Sequence, residues 1–313
     1  MHIGLGIWLS ACAGDKGQAG ADTGDPGHTG DTSDTHDSGD TDSGDTDSGD
    51  SGDSGEEPGL LRTVTGFSTP ESVRCSDGTC YVSNISGSPS AEDGDGFIST
   101  MTLDGELVAL DAFPDVTLNA PKGSAIVDGV LYVTDITEIR AIPLHGGAAS
   151  SSGALDGAEF LNDLVAGPDG DLYASDSSAG VVYRWDRAGA AEIVVRSGVV
   201  SSPNGLAIFE DTLYVLSGAR AGAIASFDLD GGPDRRWSLP AGQLDGLEID
   251  EDGLFYITSW ETATVYVGTP DDGVAPLQTD LTSPADLGYD ASARRLYVPL
   301  FQEDAVAVVA LGR

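Results

Sequence analysis

The chain has 313 residues and a formal net charge of −38, with 52 Asp and Glu against 14 Lys and Arg. The few basic residues form no cluster, which excludes the electrostatic footprint of a nucleic-acid binder or of a protein held by charge to an anionic membrane. Metal ions, neutral sugars or basic partners are the natural ligands of such a chain.

Residues 1–12, MHIGLGIWLSAC, form an apolar run ending at Cys12. The run is too short to span a bilayer as a mature helix. It resembles a bacterial lipoprotein signal whose Cys becomes lipidated, although the segment before the apolar run carries only His2 and no Lys or Arg. That reading predicts export and lipid anchoring in the bacterial cell envelope, with the membrane met through the anchor alone; the competing reading is an accidental Cys. Residues 13–59 follow as an acidic Asp/Gly/Ser/Thr tract, DTSDTHDSGDTDSGDTDSGDSGDSG at its centre. It has too little apolar surface to offset the entropy of ordering and is expected to be a disordered tether. Its Asp-Thr-Asp-Ser-Gly repeats lack the terminal Glu of an EF-hand calcium loop.

Residues 60–313 read as one large, monomeric domain. LLRTVTG (60–66) is a strand. Cys75 and Cys80 flank SDGT in a hairpin, and export would permit a disulfide across it; two free buried thiols are the other possibility. An apolar-Tyr-apolar pattern then recurs at Tyr81, Tyr132, Tyr173, Tyr214, Tyr256 and Tyr297. The spacing is close to 41 once SGSPSAEDGD (86–95) is treated as a loop insertion. In the third unit NDLVAG, LYASD, VVYRWD and EIVVR alternate apolar residues between Gly/Asp turns, four antiparallel strands with no helical period. Six such units predict an all-β, six-bladed propeller. The last unit lacks a fourth strand, and 60–66 is the spare one that would close the ring and remove an edge.

The residues opening each innermost strand are Glu71 in PESV, Lys122 in PKGS, Asn162 in LNDL, Asn204 in PNGL, Asp245 in LDGL and, one place later, Asp286 in PADL. In a propeller these form a ring at one channel mouth. Hard oxygen donors gathered there suit a divalent ion, Ca²⁺ first. Singly, each Asn or Asp before Gly would more simply shape a turn. Pro203-Asn204-Gly205 is expected to be such a turn, aiming the Asn204 oxygen into the channel. His145 in PLHGG reads as a blade-edge turn, Asp135 and Asp176 as turn-fixing residues, and Trp185, Trp237 and Trp260 as blade packing.

PESV, LNDLVAGPDG, SPNGLAI and LDGLEIDEDG, in that order, resemble the gluconolactonase, regucalcin and luciferin-regenerating enzyme family over roughly 60–313. The resemblance implies a six-bladed propeller, a divalent metal on Glu71, Asn204 and Asp245, and an Asn-Asp pair near the substrate at Asn162 and Asp163. Further segments, YVSNISG and APKGSAIVDGVLYVTDI among them, resemble a less characterised exported bacterial branch. Two positions depart from the family. Phe160 stands where its lactonases carry Arg, and Lys122 sits in the ring, where an amine about 5 Å from a divalent ion would be repelled by about 6 kcal/mol. Lys122 therefore either points away or replaces the metal by pairing with Glu71 and Asp245. Two functions follow. One is a non-catalytic propeller binding a small molecule or protein, with Asn162 and Lys122 as ligand contacts. The other is a metal-dependent lactone or ester hydrolase, with Asp245 or Asp163 as base.

Overall fold

The computed structural model describes residues 57–312, Ser197 and Val199 excepted. Cys12, its signal segment and the acidic tract up to residue 56 lie outside the described residues. No helix occurs among those described. Twenty-four strands form six four-stranded antiparallel sheets.

Blade 1 is β2 (Pro70–Ser76), β3 (Thr79–Asn84), β4 (Phe97–Thr102) and β5 (Leu107–Ala109). Blade 2 is β6 (Pro121–Val127), β7 (Val130–Asp135), β8 (Glu138–Pro143) and β9 (Ser150–Ala154). Blade 3 is β10 (Leu161–Ala166), β11 (Leu172–Asp176), β12 (Val181–Trp185) and β13 (Ala191–Arg196). Blade 4 is β14 (Pro203–Phe209), β15 (Thr212–Ser217), β16 (Ala223–Asp228) and β17 (Pro233–Ser238). Blade 5 is β18 (Leu244–Ile249), β19 (Phe255–Ser259), β20 (Thr264–Thr269) and β21 (Gly273–Gln278). Blade 6 runs β22 (Gly288–Asp290), β23 (Arg295–Leu300) and β24 (Ala305–Ala310), and its outer strand is β1 (Gly59–Thr65), paired antiparallel to β24. The N-terminal strand thus closes the last blade.

The core lies between the blades, in layers where adjacent sheets pack face to face. Each recurring tyrosine packs into the layer toward the following blade. Tyr132 meets Leu161, Leu164 and Trp185 of blade 3; Tyr173 joins Leu206, Leu213 and Val215 of blade 4; Tyr256 joins Leu296 and Val298 of blade 6. The ring closes through Tyr297, Val306 and Val308 of blade 6 against Val73, Val82 and Met101 of blade 1, with Val64 of β1 in the same layer. A 41-residue period is therefore a packing period: one unit supplies one sheet and half of each of two interfaces. Cys75 and Cys80 pair directly across β2 and β3 and form a disulfide. The 86–95 insertion falls in the connection between β3 and β4, at the end of the blade where β2 begins.

Candidate functional site at the channel mouth

Five innermost strands share one irregularity at the same place. Their pairing with the second strand shifts between Pro70 and Ser72, Pro121 and Ser124, Leu161 and Leu164, Pro203 and Leu206, and Leu244 and Leu247. A bulge re-aims side chains, and each one falls on a ring residue. The amides it frees are captured locally. Ser83 Oγ accepts from Ser72 N at 2.9 Å, Ser175 Oγ from Asp163 N at 2.9 Å, and Thr258 Oγ1 from Gly246 N at 2.7 Å. These hydroxyls each stand two residues after a repeat tyrosine, a regularity in the sequence that marks the bulges.

Pro203-Asn204-Gly205 is strand, not turn. The left-handed residue is Ser202, φ 51°, just outside β14; Thr69, Gln243 and Ser283 take the same conformation ahead of blades 1, 5 and 6. Gly205 is needed not for a turn but for the close approach of the next blade. A Cβ there would stand 2.2 Å from the Asp245 carbonyl oxygen, as one at Gly123 would stand 2.3 Å from Asp163 Cα and one at Gly246 2.7 Å from Asp286 Cα. These glycines let neighbouring blades close in around the axis. In blades 2 and 3 an aspartate secures the approach to the ring. Asp135 accepts from Asn119 and Ala120 N, and Asp176 from Glu159 and Phe160 N as well as Ser178 and Ala179 N.

The ring side chains Glu71, Lys122, Asn162, Asn204 and Asp245 are all buried. Glu71 Oε2 and Asp245 Oδ1 have no hydrogen-bond partner. Burial and then the neighbouring Asp245 and Asp286 push the Glu71 carboxyl well above its ordinary range, against the opposing pull of Lys122. Burial, then Asp163, push Asp245 up to about 7, with the neighbouring Trp260 and Asn204 opposing the shift. Asn204 Nδ2 also faces the Leu244 carbonyl at 3.4 Å. Asn162 Nδ2 donates to Ser177 Oγ at 3.1 Å.

Lys122 forms no ion pair with Glu71 or Asp245 among the described residues. Its Nζ donates to the Ala120 carbonyl at 2.9 Å and lies 4.4 Å from the centre of the Phe160 ring. The two residues that depart from the family pattern therefore touch each other. Burial lowers the amine to about 8, with Glu71 and Asp135 opposing the shift.

Asp163 is committed to structure. It accepts from Leu164 N and from Leu206 N of the next blade, both at 2.6 Å, and faces Arg74 Nη2 at 3.8 Å. Asp286 sits at the same level, its amide donating to the Glu71 carbonyl at 2.9 Å and its carboxylate 3.6 Å from Arg74 Nη2.

Arg74 is the residue that reading the sequence missed. Three places beyond Glu71, it crosses the channel beneath the ring. Nε donates to Ser124 O at 2.6 Å, Nη1 to Leu287 O at 3.2 Å, and Nη1 pairs with Glu248. With Asp163 and Asp286 it ties blade 1 to blades 2, 3, 5 and 6. Glu248 occupies the same position three beyond Asp245, so PESVR and LDGLE held the signal. Trp260 was missed as well: it acts to lower the Asp245 carboxyl against the pull of burial, and it packs on Phe301, ring centres 5.2 Å apart. Trp185 packs in the blade 2–3 layer, whereas Trp237 donates to Asp271 at 2.9 Å on an exposed edge. His145 lies exposed in the turn after β8.

Glu71, Asp163, Asp245, Glu248 and Asp286 together face only Lys122 and Arg74. That excess of carboxylates in a buried channel must be protonated or offset by a further cation. Among the described residues no three His, Cys, Asp or Glu side chains gather as a metal cluster. The Glu71 and Asp245 carboxylates with the Asn204 amide are, by their chemistry, donors suited to a hard ion. The orphaned oxygens of Glu71 and Asp245 fit it.

Fold and site together define a six-bladed propeller with a carboxylate-rich channel mouth. The chain belongs to the SMP-30/Gluconolactonase/LRE-like family, whose model matches residues 99–298, a span holding every ring position except Glu71. A gluconolactonase from Xanthomonas campestris superposes with TM-score 0.63 at 19% identity, over 82% of this chain and 95% of that one. A streptogramin B lyase does so with TM-score 0.61 at 12% identity, over 80% and 97%. Virginiamycin B lyase from Staphylococcus aureus gives 0.55 at 14%, over 80% and 99%. At these identities the structural likeness speaks to the fold alone. No curated protein matches the chain in sequence.

Proposed function

We propose that this protein is a binding propeller: its channel mouth takes a divalent cation, calcium first, and through it a small oxygen-bearing ligand that it does not turn over. The orphaned, buried Glu71 Oε2 and Asp245 Oδ1 carry the reading. Glu71, Asn204 and Asp245 would hold the cation, which when bound supplies positive charge against the carboxylates and a template for ligand oxygens. Lys122 does not do this work, since it is seated on Ala120 and Phe160. The non-catalytic half rests on Asp163, whose oxygens serve as a strut between blades, and on Phe160, an apolar ring where the family's lactonases carry Arg. A second reading, hydrolysis of a lactone or ester, is favoured by Asp245. Its carboxyl, raised to about 7, is matched to general-base work near neutrality.

Titration calorimetry with calcium and magnesium should show one site in the wild type and none in Asp245→Ala, with no turnover of simple lactones or esters by either. Absence of cation binding to the wild type contradicts the proposal. Cation-dependent lactone hydrolysis lost in Asp245→Ala replaces it with the hydrolase.

A further inference from the structure

We infer that Lys122, carried beneath Phe160, reads an anion, and that the ligand taken at this mouth is a small hydroxy carboxylate whose hydroxyl side reaches the cation. The inference rests on the cation reading above and gives it a ligand class.

An ammonium removed from water needs partners. Lys122 is only 1% exposed. It has three N–H donors, and its one hydrogen bond among the described residues goes to the Ala120 carbonyl. The Phe160 face supplies a cation–π contact. Glu71 and Asp135 act on it only from longer range. Spare donors on Lys122 thus share one mouth with spare acceptors on Glu71 and Asp245. A bare cation would satisfy the acceptors and repel the amine. An anion alone would do the reverse. A carboxylate with a neighbouring hydroxyl satisfies both, placing its charge at Lys122 and its other oxygens on the cation.

Phe160 is the movable part. Its ring is partly exposed, while its amide is fixed by Asp176 at 3.1 Å. The side chain can therefore swing without the strand moving. A charge-assisted hydrogen bond to a carboxylate outweighs one cation–π contact to a partly exposed ring, so the ligand should displace the ring from the amine.

The probes are lactate and its uncharged amide, lactamide, titrated calorimetrically into the full chain in calcium and in EDTA. In calcium the wild type should bind lactate at least tenfold tighter than lactamide. Lys122→Met should bring the two within twofold, and Lys122→Arg should keep most of the preference. Phe160→Ala should tighten lactate several-fold and leave lactamide unchanged. If Lys122→Met does not fold, the other two variants decide. Equal binding of both probes by the wild type, or an undiminished preference in Lys122→Met, overturns the inference while calcium binding by itself leaves the cation reading standing. Lys122-dependent lactate binding that persists in EDTA, with no calcium site, sinks the cation reading and keeps Lys122 as the anion-reading group.

Discussion

Gly205 is the residue at which the ring is tightest. Its α-carbon is packed against the Asp245 carbonyl of the next blade, and a methyl there would meet backbone, which cannot rotate away. Gly205→Ala should cost about 3 kcal/mol or more, lowering the melting temperature by roughly 6–12 °C in a domain of this size. A drop under 2 °C in a thermal melt would show that the blades are not in contact there. The ring positions Glu71, Asn204 and Asp245 could be picked out from the sequence because the unit repeats, so equivalent places could be aligned. What each side chain touches could not. Asp163 reads as a residue near the substrate and a candidate base, yet its carboxylate accepts from an amide 43 residues away. Arg74 draws no notice at all in the sequence, yet its partners come from four other blades. Long-range contacts of single polar groups leave no periodic trace.

At the scale of elements, the strand content was legible because alternation and Gly/Asp turns report local structure, and closure was legible because one strand was missing and one was spare. The bulges were not read, although the hydroxyls that trap their freed amides recur at a fixed place. The closing strand gives the element-scale prediction. A chain beginning at Pro58 keeps β1 and should melt as the full protein does. One beginning at Ser68 loses all pairing to β24 and the Val64 contact in the blade 6–1 layer. It also exposes β24, almost wholly apolar, as an open edge. It should melt at least 10 °C lower or aggregate; equal melting temperatures for the two chains would show that the ring does not depend on β1.

At the scale of the whole molecule, the propeller holds its blades around an axis that is itself electrostatically unbalanced. Arg74 offsets part of the carboxylate charge from below, and the mouth above it stays acidic, so stability should respond to whatever enters. Glu71 and Asp245 have folded-state pKa values above their ordinary ones. The folded chain then binds more protons than the unfolded chain between the ordinary carboxylate range and about 7, so its stability is greatest at the acid end of that window and falls as pH rises through it. A bound divalent cation takes the place of those protons and adds stability by mass action, about 2.7 kcal/mol at a hundredfold excess over its Kd. Asp245→Asn separates this from the general repulsion of an acidic surface, because it removes one mouth charge and leaves the rest. The decisive measurement is the melting temperature at pH 5 and pH 7.5, in EDTA and in calcium, for the wild type and Asp245→Asn. The expected result is a fall with pH in EDTA, reversed by calcium in the wild type, and a smaller fall with no calcium gain in Asp245→Asn; a wild-type melting temperature that is unchanged or higher at pH 7.5 in EDTA and indifferent to calcium would contradict a cation site at Glu71, Asn204 and Asp245.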